Sequence, residues 1–230
     1  MNIQQFTTKF REIKQQRWIP ITRTGDGKFG NTLEDMLGLK ENNLDKPDIE
    51  GHELKVQKLD TGSRMTLFSK ESWVGKPKDY IDKFGWQHMT HKNSKTLQTS
   101  IISKPNKRGF YNTTDEKYMY VYNTKDNTMV NKIAWRTLCD TFEKKIPKMI
   151  SVHGEEKIIN DKPHFWYNKA YLMSGSSAEK FRQLVEDDVI VMEYKCYYKY
   201  NENKLRNRGT SFRINECHLH KLFGNITEIK

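Results

Sequence analysis

The order of patterned segments predicts a mixed α/β or α+β fold, in which a mixed sheet is flanked by helices. Apolar side chains recur at helical spacing in residues 3–18, whereas "HELKVQKLD" (52–60) alternates apolar and polar residues as a strand does. Further helical and strand patterns follow in mixed order to the end of the chain. Since the 230 residues contain no repeat and no long linker, we expect one domain or two closely packed lobes.

Four segments are predicted to be helices. The first contains the apolar residues from Ile3 to Ile13, and Pro20 ends it. The second is "NTLEDMLGL", for which Asn31 is the predicted N-cap. The other two are "WRTLCDTFEKKI" and "SSAEKFRQLVEDD", and the latter is capped by Ser176 or Ser177.

Seven segments have strand patterns, and two regions are predicted to lack regular structure. The residues from Trp73 to Asn112 are predicted to be irregular, and "NENKLRNRG" a polar loop. Our working division assigns residues 1–145 to a catalytic lobe and residues 146–230 to a recognition lobe. The predicted strands are "HELKVQKLD", "RMTLFSK", "KYMYVYN", "KMISVHGEEK", "PHFWYNKAYLM", "VIVMEYKCYYKY" and "TSFRIN".

Composition and charge limit the classes of function. Hydrophobic residues make up 35% of the chain, and no run approaches the ~18 apolar residues of a spanning helix. The first residues lack the apolar core of a signal peptide, so we expect a soluble cytoplasmic protein without a membrane partner. The net charge of +11 favours a polyanionic partner such as nucleic acid, although a general solubility charge is the alternative.

The stretch "PDIEGHELK" (47–55) has the residue types of a phosphodiesterase site. Glu53 and Lys55 are two apart on a predicted strand and therefore point to one side, and a turn at Gly51 can return Asp48 to Glu53. Two converging carboxylates suit Mg²⁺, which stabilises charge on a phosphate, and the Lys55 ammonium can orient the attacking water. The alternative is a solvated strand edge with alternating charges, and the spacing alone leaves both readings open.

Glu34 is a further candidate for the metal site or its water shell, because it lies on the helix that precedes this strand. A structural role is the alternative. Asn31 and Glu34 have the spacing of a capping box, in which the glutamate needs no catalytic function.

A second group of residues predicts a β-ribbon suited to the DNA major groove. Glu193, Lys195 and Tyr197 share one face of "VIVMEYKCYYKY". The following segment supplies Arg206 and Arg208, and "TSFRIN" supplies Arg213. Arginine can pair with guanine, and glutamate can accept from cytosine. An ordinary hairpin with a solvated basic loop is the alternative.

Together these segments resemble the MvaI/BcnI family of Type II restriction endonucleases, which have the PD-(D/E)xK nuclease fold, and more distantly the MutH-type nickases. The matching segments are "GNTLEDMLGLKENNLDKPDIEGHELK", "MTLFSKES" and "GTSFRIN", with weaker matches in "KMISVHGEEK" and "HFWYNKAYL". The first is the most specific, because it joins the glutamate-bearing helix to the D-x4-E-x-K motif.

The resemblance implies roles for individual residues. Asp48, Glu53 and Lys55 correspond to the catalytic triad, with Asp48 and Glu53 as ligands of Mg²⁺, and Glu34 corresponds to the helix glutamate of the family. The residues expected to bind DNA are Lys70, Glu193, Lys195, Tyr197, Arg206, Arg208 and Arg213.

The resemblance also implies how the enzyme acts. A monomer without an obligate protein partner clamps double-stranded DNA and nicks the strands in turn, at a short CC-N-GG-like near-palindrome. Lys195 stands where the resemblance leads us to expect arginine. Lysine cannot make the bidentate contact to a base that arginine makes, so the identity of the central base pair is not predicted. Two alternatives are kept: a MutH-like repair nickase and a DNA-binding protein without catalysis.

Overall fold

The computed structural model describes residues 1–25, 27–39, 49–59 and 62–230, and it has the predicted mixed α+β class. The α-helices are α1 (Ile3–Gln16), α2 (Lys28–Leu37), α3 (Pro77–Phe84), α4 (Trp135–Lys145), α5 (Ala178–Glu186) and α6 (Leu219–Leu222). The strands are β1 (Ile19–Pro20), β2 (Glu53–Lys58), β3 (Arg64–Ser69), β4 (Trp86–Gln87), β5 (Ser94–Ile101), β6 (Phe110–Thr114), β7 (Tyr118–Asn123), β8 (Thr128–Ala134), β9 (Met149–Ile159), β10 (Lys162–Ser174), β11 (Ile190–Lys199), β12 (Lys204–Asn215) and β13 (Asn225–Glu228).

The chain forms two compact units, and each is assembled from separate stretches of sequence. The first unit comprises Met1–Met65, Glu143–Ser177 and Leu219–Lys230, and the second comprises Thr66–Phe142 and Ala178–His218. The assignment of catalysis to residues 1–145 and of recognition to residues 146–230 stays a prediction.

The first unit is built on a five-stranded sheet in which β2 is an outer strand. The order is β1-β10-β9-β2, and β13 also pairs with β10. β2 runs parallel to β9, whereas β10 runs antiparallel to β9. Helices α1 and α2 contribute to the same hydrophobic core as these strands. That core includes Phe6, Phe10, Leu33, Leu37, Leu54, Ile150, Val152, Phe165 and Tyr167.

The boundaries of α1 and α2 differ from the sequence prediction. A capping box between Asn2 and Gln5 begins α1, which ends at Gln16, several residues before Pro20. α2 begins at Lys28, so the prediction that Asn31 is its N-cap was wrong. The backbone N–H of Asn31 instead donates to the carbonyl oxygen of Gly27, as a residue inside a helix does.

The second unit contains a five-stranded sheet, β3-β12-β11-β5-β4, and a three-stranded sheet, β6-β7-β8. The prediction that residues 73–112 are irregular was wrong, since α3, β4 and β5 lie there. β5 was missed because its sequence lacks a clear apolar alternation. Its buried positions include the polar residues Ser94 and Thr96 beside Leu97 and Ile101.

The prediction of a polar loop in "NENKLRNRG" was also wrong over most of its length. A short 3₁₀ turn occupies Tyr200–Glu202, and β12 begins at Lys204. Residues 204–207 pair with β11, and Arg206 and Arg208 extend from a strand rather than from a loop. This places their charges on a more rigid element than we predicted.

No helix in the described ranges is long and apolar enough to cross a membrane.

Gly154 of β9 gives a test of packing in the first unit. A Cβ atom there would lie 2.3 Å from the Phe165 ring and 2.3 Å from the carbonyl oxygen of Trp166. Apart from its chain neighbours and the backbone of α2 itself, none of the described atoms lies within 4 Å of a Cβ at Gly30 of α2. We expect Gly154→Ala to lower the free energy of unfolding by about 1–3 kcal/mol through overpacking. Gly30→Ala should raise it by up to about 1 kcal/mol, because alanine favours helix. Urea unfolding measures both, and parental stability of Gly154→Ala would contradict the packing described.

Candidate active site and nucleic-acid interface

A tight turn leads into β2, the strand that carries the first candidate site. Ile49 and His52 exchange backbone hydrogen bonds of 3.0 and 2.7 Å, and between them Glu50 and Gly51 have φ angles of 42° and 77°. Such paired positive φ angles are typical of a two-residue hairpin turn. Asp48 precedes this turn and lies outside the described residues, so its convergence with Glu53 stays a prediction.

Glu53 and Lys55 lie together on one face of β2. Their Oε1 and Nζ atoms are 2.5 Å apart, and the side chains are 18% and 26% exposed respectively. Leu54, between them, points into the core and is buried. The prediction that the two charged side chains share a face is therefore confirmed by their contact.

A row of buried polar side chains continues from this pair across the sheet. Ser151 of β9 lies opposite Lys55, and His153 lies opposite Gln57. The Ser151 Oγ and His153 Nε2 atoms are 2.7 Å apart, and Gln57 donates through Nε2 to the carbonyl oxygen of Ser63. Our sequence reasoning missed this row, although "MISVHG" alternates apolar residues with Ser151 and His153.

The side chains on this face supply part of the oxygen ligand set that a hard divalent cation needs. Glu53 offers a partly buried carboxylate on a fixed strand, which is a ligand type that Mg²⁺ accepts. The buried Oε1 atom of Gln57 accepts no hydrogen bond from the described residues, but Gln57 is about 13 Å along the strand from Glu53, too far to share an ion with it. No group of three or more His, Cys, Asp or Glu side chains that could hold a metal occurs within the described ranges.

Glu34 is half-buried on α2, and the structure removes the structural role that we weighed for it. The capping box needs Asn31 at the helix start, whereas α2 starts at Lys28. Leu33 and Leu37, on either side of Glu34 in the helix, pack in the core that also contains Leu54 of β2. A role of Glu34 near the metal stays a prediction.

In the second unit, Glu193 of β11 and Arg213 of β12 form the central contact of the candidate interface. The Arg213 guanidinium donates to Glu193 Oε2 at 2.6 Å, and Ser100 of β5 donates to Glu193 Oε1 at 3.2 Å. The side chains of Glu193 and Arg213 are 14% and 24% exposed. Both carboxylate oxygens therefore accept from protein groups, and the contact fixes the orientation of Arg213.

A β-bulge lies opposite Lys195. The register of β11 and β12 shifts between Tyr194 and Cys196, so that Arg208 and Gly209 together face the single residue Lys195. Gly209 has a φ angle of 82°, and a Cβ atom there would lie 2.9 Å from Ser69. Bulges re-aim the side chains beside them. Lys70 is near this bulge, since its backbone N–H donates to the carbonyl oxygen of Thr210 at 2.8 Å.

Tyr197 lies in an aromatic cluster that sequence reasoning did not find. Its ring centroid is 4.9 Å from that of His88 and 5.1 Å from that of His91, and Arg206 lies opposite it on β12. Burial, together with the nearby His91, lowers the pKa of His88 below its usual value. No local motif marks this cluster, because non-local strand pairing brings Tyr197 to the histidines.

A mixed sheet with a Glu-x-Lys pair on a strand, in a chain that also has an arginine-bearing ribbon, is typical of restriction endonucleases. The chain matches the model of the MvaI/BcnI restriction endonuclease family over residues 7–223, and it belongs to this family. It is thus a Type II site-specific deoxyribonuclease, a DNA-binding hydrolase of restriction–modification systems. Restriction endonucleases generally use divalent metal ions, in agreement with the carboxylate at Glu53.

Solved structures that are similar to the chain in fold include two of the restriction endonuclease MvaI. The complex of the restriction endonuclease MvaI with its cognate DNA substrate has a TM-score of 0.82 at 22% identity, over 98% of this chain and 97% of that one. MvaI in the absence of DNA has a TM-score of 0.54 at 21% identity, over 99% and 97% of the two chains. The fold agrees with the restriction-endonuclease architecture expected from the sequence. No curated protein sequence matches the chain.

Proposed function

We propose that this endonuclease uses Mg²⁺ to cleave double-stranded DNA at a short C·G-rich near-palindrome of the CC-N-GG type. It acts as a monomer without an obligate protein partner and nicks the two strands in turn. The observation that carries the proposal is the Glu53–Lys55 pair, held with 2.5 Å between carboxylate and ammonium on one face of β2. Family membership and the DNA complex of the similar MvaI fold support duplex DNA as the substrate.

In this proposal the catalytic residues divide the work of phosphodiester hydrolysis. Asp48 and Glu53 hold the cation, which when bound neutralises charge on the scissile phosphate. Lys55 donates a hydrogen bond that orients the attacking water and stabilises the negative charge that develops on the phosphate oxygens. With the cation bound, Glu34 would accept hydrogen bonds from its water shell. Glu53 has a second task, since its contact with Lys55 fixes the position of the ammonium group.

Base recognition belongs to the second unit in this proposal. Arg213 donates two hydrogen bonds to a guanine, and Glu193 positions its guanidinium for that contact. Both oxygens of Glu193 accept from protein donors, and their remaining lone pairs can accept from cytosine N4 in the bound complex. Lys195, opposite the bulge, contacts a further base edge. The remaining contacts, to the sugar–phosphate backbone, are assigned to Lys70, Tyr197, Arg206 and Arg208.

The monomeric state and the nicking of one strand at a time follow from the resemblance to the family. A cytoplasmic location stays a prediction from the sequence. A partner-dependent MutH-like nickase is the second candidate within nucleases, and it differs in its products. It would leave one strand intact, whereas the proposed enzyme would convert nicked DNA to linear DNA without help.

Lys55→Ala tests the active site. With Mg²⁺, the parent should convert supercoiled plasmid first to nicked and then to linear DNA with ends at one short site. Lys55→Ala should cut slower by at least about 10²-fold, because a group that stabilises the transition state is lost. Its binding of the cognate duplex in Ca²⁺ should remain near the parental value. Gel assays of cleavage and binding measure both effects.

Lys58→Ala is the matched control for this experiment. Lys58 lies three residues further along β2 and pairs with Glu156 at 3.0 Å instead of Glu53. This variant should cleave at the parental rate. Cleavage by Lys55→Ala at the parental rate would contradict the assignment of the site. If the parent accumulates nicked DNA without linear product, the nickase is favoured.

Arg213→Ala tests base reading. The loss of a bidentate contact to guanine should reduce discrimination at one base position by about 1–3 kcal/mol, and leave discrimination at the other positions unchanged. Arg206→Ala removes an exposed arginine from the same strand and should instead weaken binding to all sequences alike. Binding to duplexes with single base-pair changes separates these patterns. Uniform weakening by Arg213→Ala would make Arg213 a phosphate contact and contradict the proposed role.

A further inference from the structure

The loop between β5 and β6 has three cationic side chains that the proposed function does not use. We call residues 104–109 the basic loop; its sequence is "KPNKRG" and it contains no acidic residue. Lys104, Lys107 and Arg108 are all exposed. Within the described ranges, none of these three side chains forms an ion pair with a carboxylate. Exposed cations that form no ion pair can bind an anionic ligand.

Asn106 holds the basic loop in one conformation. Its Nδ2 atom donates to Thr99 Oγ1 at 2.9 Å and to the Ser100 carbonyl oxygen at 2.7 Å. Its Oδ1 atom accepts from the backbone N–H of Arg108 at 2.8 Å and of Phe110 at 3.2 Å. One side chain thus makes four hydrogen bonds, which join the loop to β5 and close it upon itself.

Contacts on both sides of Asn106 complete the anchoring. The backbone N–H and hydroxyl of Ser103 donate to the Asp188 carboxylate at 2.7 and 2.6 Å, and Asn123 donates to the Arg108 carbonyl oxygen at 2.9 Å. The Arg108 guanidinium carbon lies 4.3 Å from the centroid of the Trp86 ring, a cation–π contact that limits the mobility of the cation. Because the loop is already ordered, it loses less conformational entropy when a ligand binds.

The basic loop is joined through one residue to the proposed base-reading pair. The carbonyl oxygen of Ser100 accepts from Asn106, and the hydroxyl of Ser100 donates to Glu193, which in turn contacts Arg213. Phosphate groups flank every base that a protein reads, and contacts to them fix the register of the protein on the duplex. The loop therefore has the charge of a backbone contact, and its hydrogen bonds connect it to the proposed base-reading pair.

We propose that the basic loop binds phosphate groups of the DNA backbone next to the base pair contacted by Arg213, and that Asn106 positions its cations. This proposal rests on the proposed function. Lys107 and Lys104 act as point charges toward the phosphates, and Arg108 adds a guanidinium that can contact two phosphate oxygens. Such contacts add affinity without sequence preference, because each neutralised phosphate releases counterions.

The experiment measures the salt dependence of DNA binding. Lys107→Ala and the double variant Lys104→Ala/Lys107→Ala are titrated in Ca²⁺ with a cognate and an unrelated duplex over a range of KCl concentrations. The plot of log Kd against log salt should lose about 0.9 of slope for each cation removed. Affinity for the two duplexes should fall by the same factor. Asn106→Ala keeps every charge and should weaken both complexes roughly twofold to tenfold, because the loop must then order on binding.

Lys117→Ala is the matched control, since this exposed lysine lies in the turn at the other end of the β6–β7 hairpin. It should retain the parental slope. A parental slope and affinity in the double variant, while the parent binds and cleaves its site, would overturn the loop proposal alone. Weakening confined to the cognate duplex would overturn it as well, since the loop would then read bases. A parent that shows no site-specific cleavage would instead contradict the proposed function.

Discussion

One face of β2 must hold two opposite charges at a fixed separation while the other face is buried in a hydrophobic core. Leu54 anchors the strand in that core, and the pleat then directs Glu53 and Lys55 to the same side. The parallel partner β9 adds Ser151 and His153 beside them as buried, hydrogen-bonded side chains. A carboxylate and an ammonium supported in this way lose little freedom when substrate binds, which preorganised catalysis requires.

In the candidate interface, too, neighbouring side chains hold the functional residue in place. Arg213 is a long side chain with many rotamers, and restricting them on DNA binding would cost conformational entropy. Its contact with Glu193, itself bonded to Ser100, selects one orientation before any DNA is present. The bulge at Arg208 and Gly209 then changes the local direction of β12 next to Lys195. Backbone geometry and ion pairing therefore determine which cations can reach a ligand and in what direction they point.

Local patterns in the sequence predicted the mixed fold class and the strand that carries Glu53 and Lys55, because alternation and residue type are properties of short segments. They failed where long-range pairing decides the structure. β5 has buried Ser94 and Thr96, so its sequence lacks the apolar alternation of a strand. Its pairing with β11, which is distant in sequence, makes it a strand. The first residues of β12 are polar and basic, so their sequence predicted a loop, although they pair with β11 as a strand.

The candidate sites show the same division between local and non-local information. The Glu-x-Lys spacing could be read directly, and so could the shared face of Glu193 and Lys195. The polar row of Gln57, Ser151 and His153 depends on the parallel register of β2 and β9, which no local motif encodes. The cap predicted at Asn31 failed because α2 starts one turn earlier, and that start leaves Glu34 without the structural role we had considered.

The most direct test of the active site is a crystal structure of the enzyme with its cognate duplex and Ca²⁺, which occupies Mg²⁺ sites and slows cleavage. We predict a cation about 2.3–2.6 Å from a carboxylate oxygen of Glu53 and in contact with the scissile phosphate, with Lys55 beside that phosphate. A cation held only by other carboxylates, with Glu53 and Lys55 remote from the DNA backbone, would contradict it.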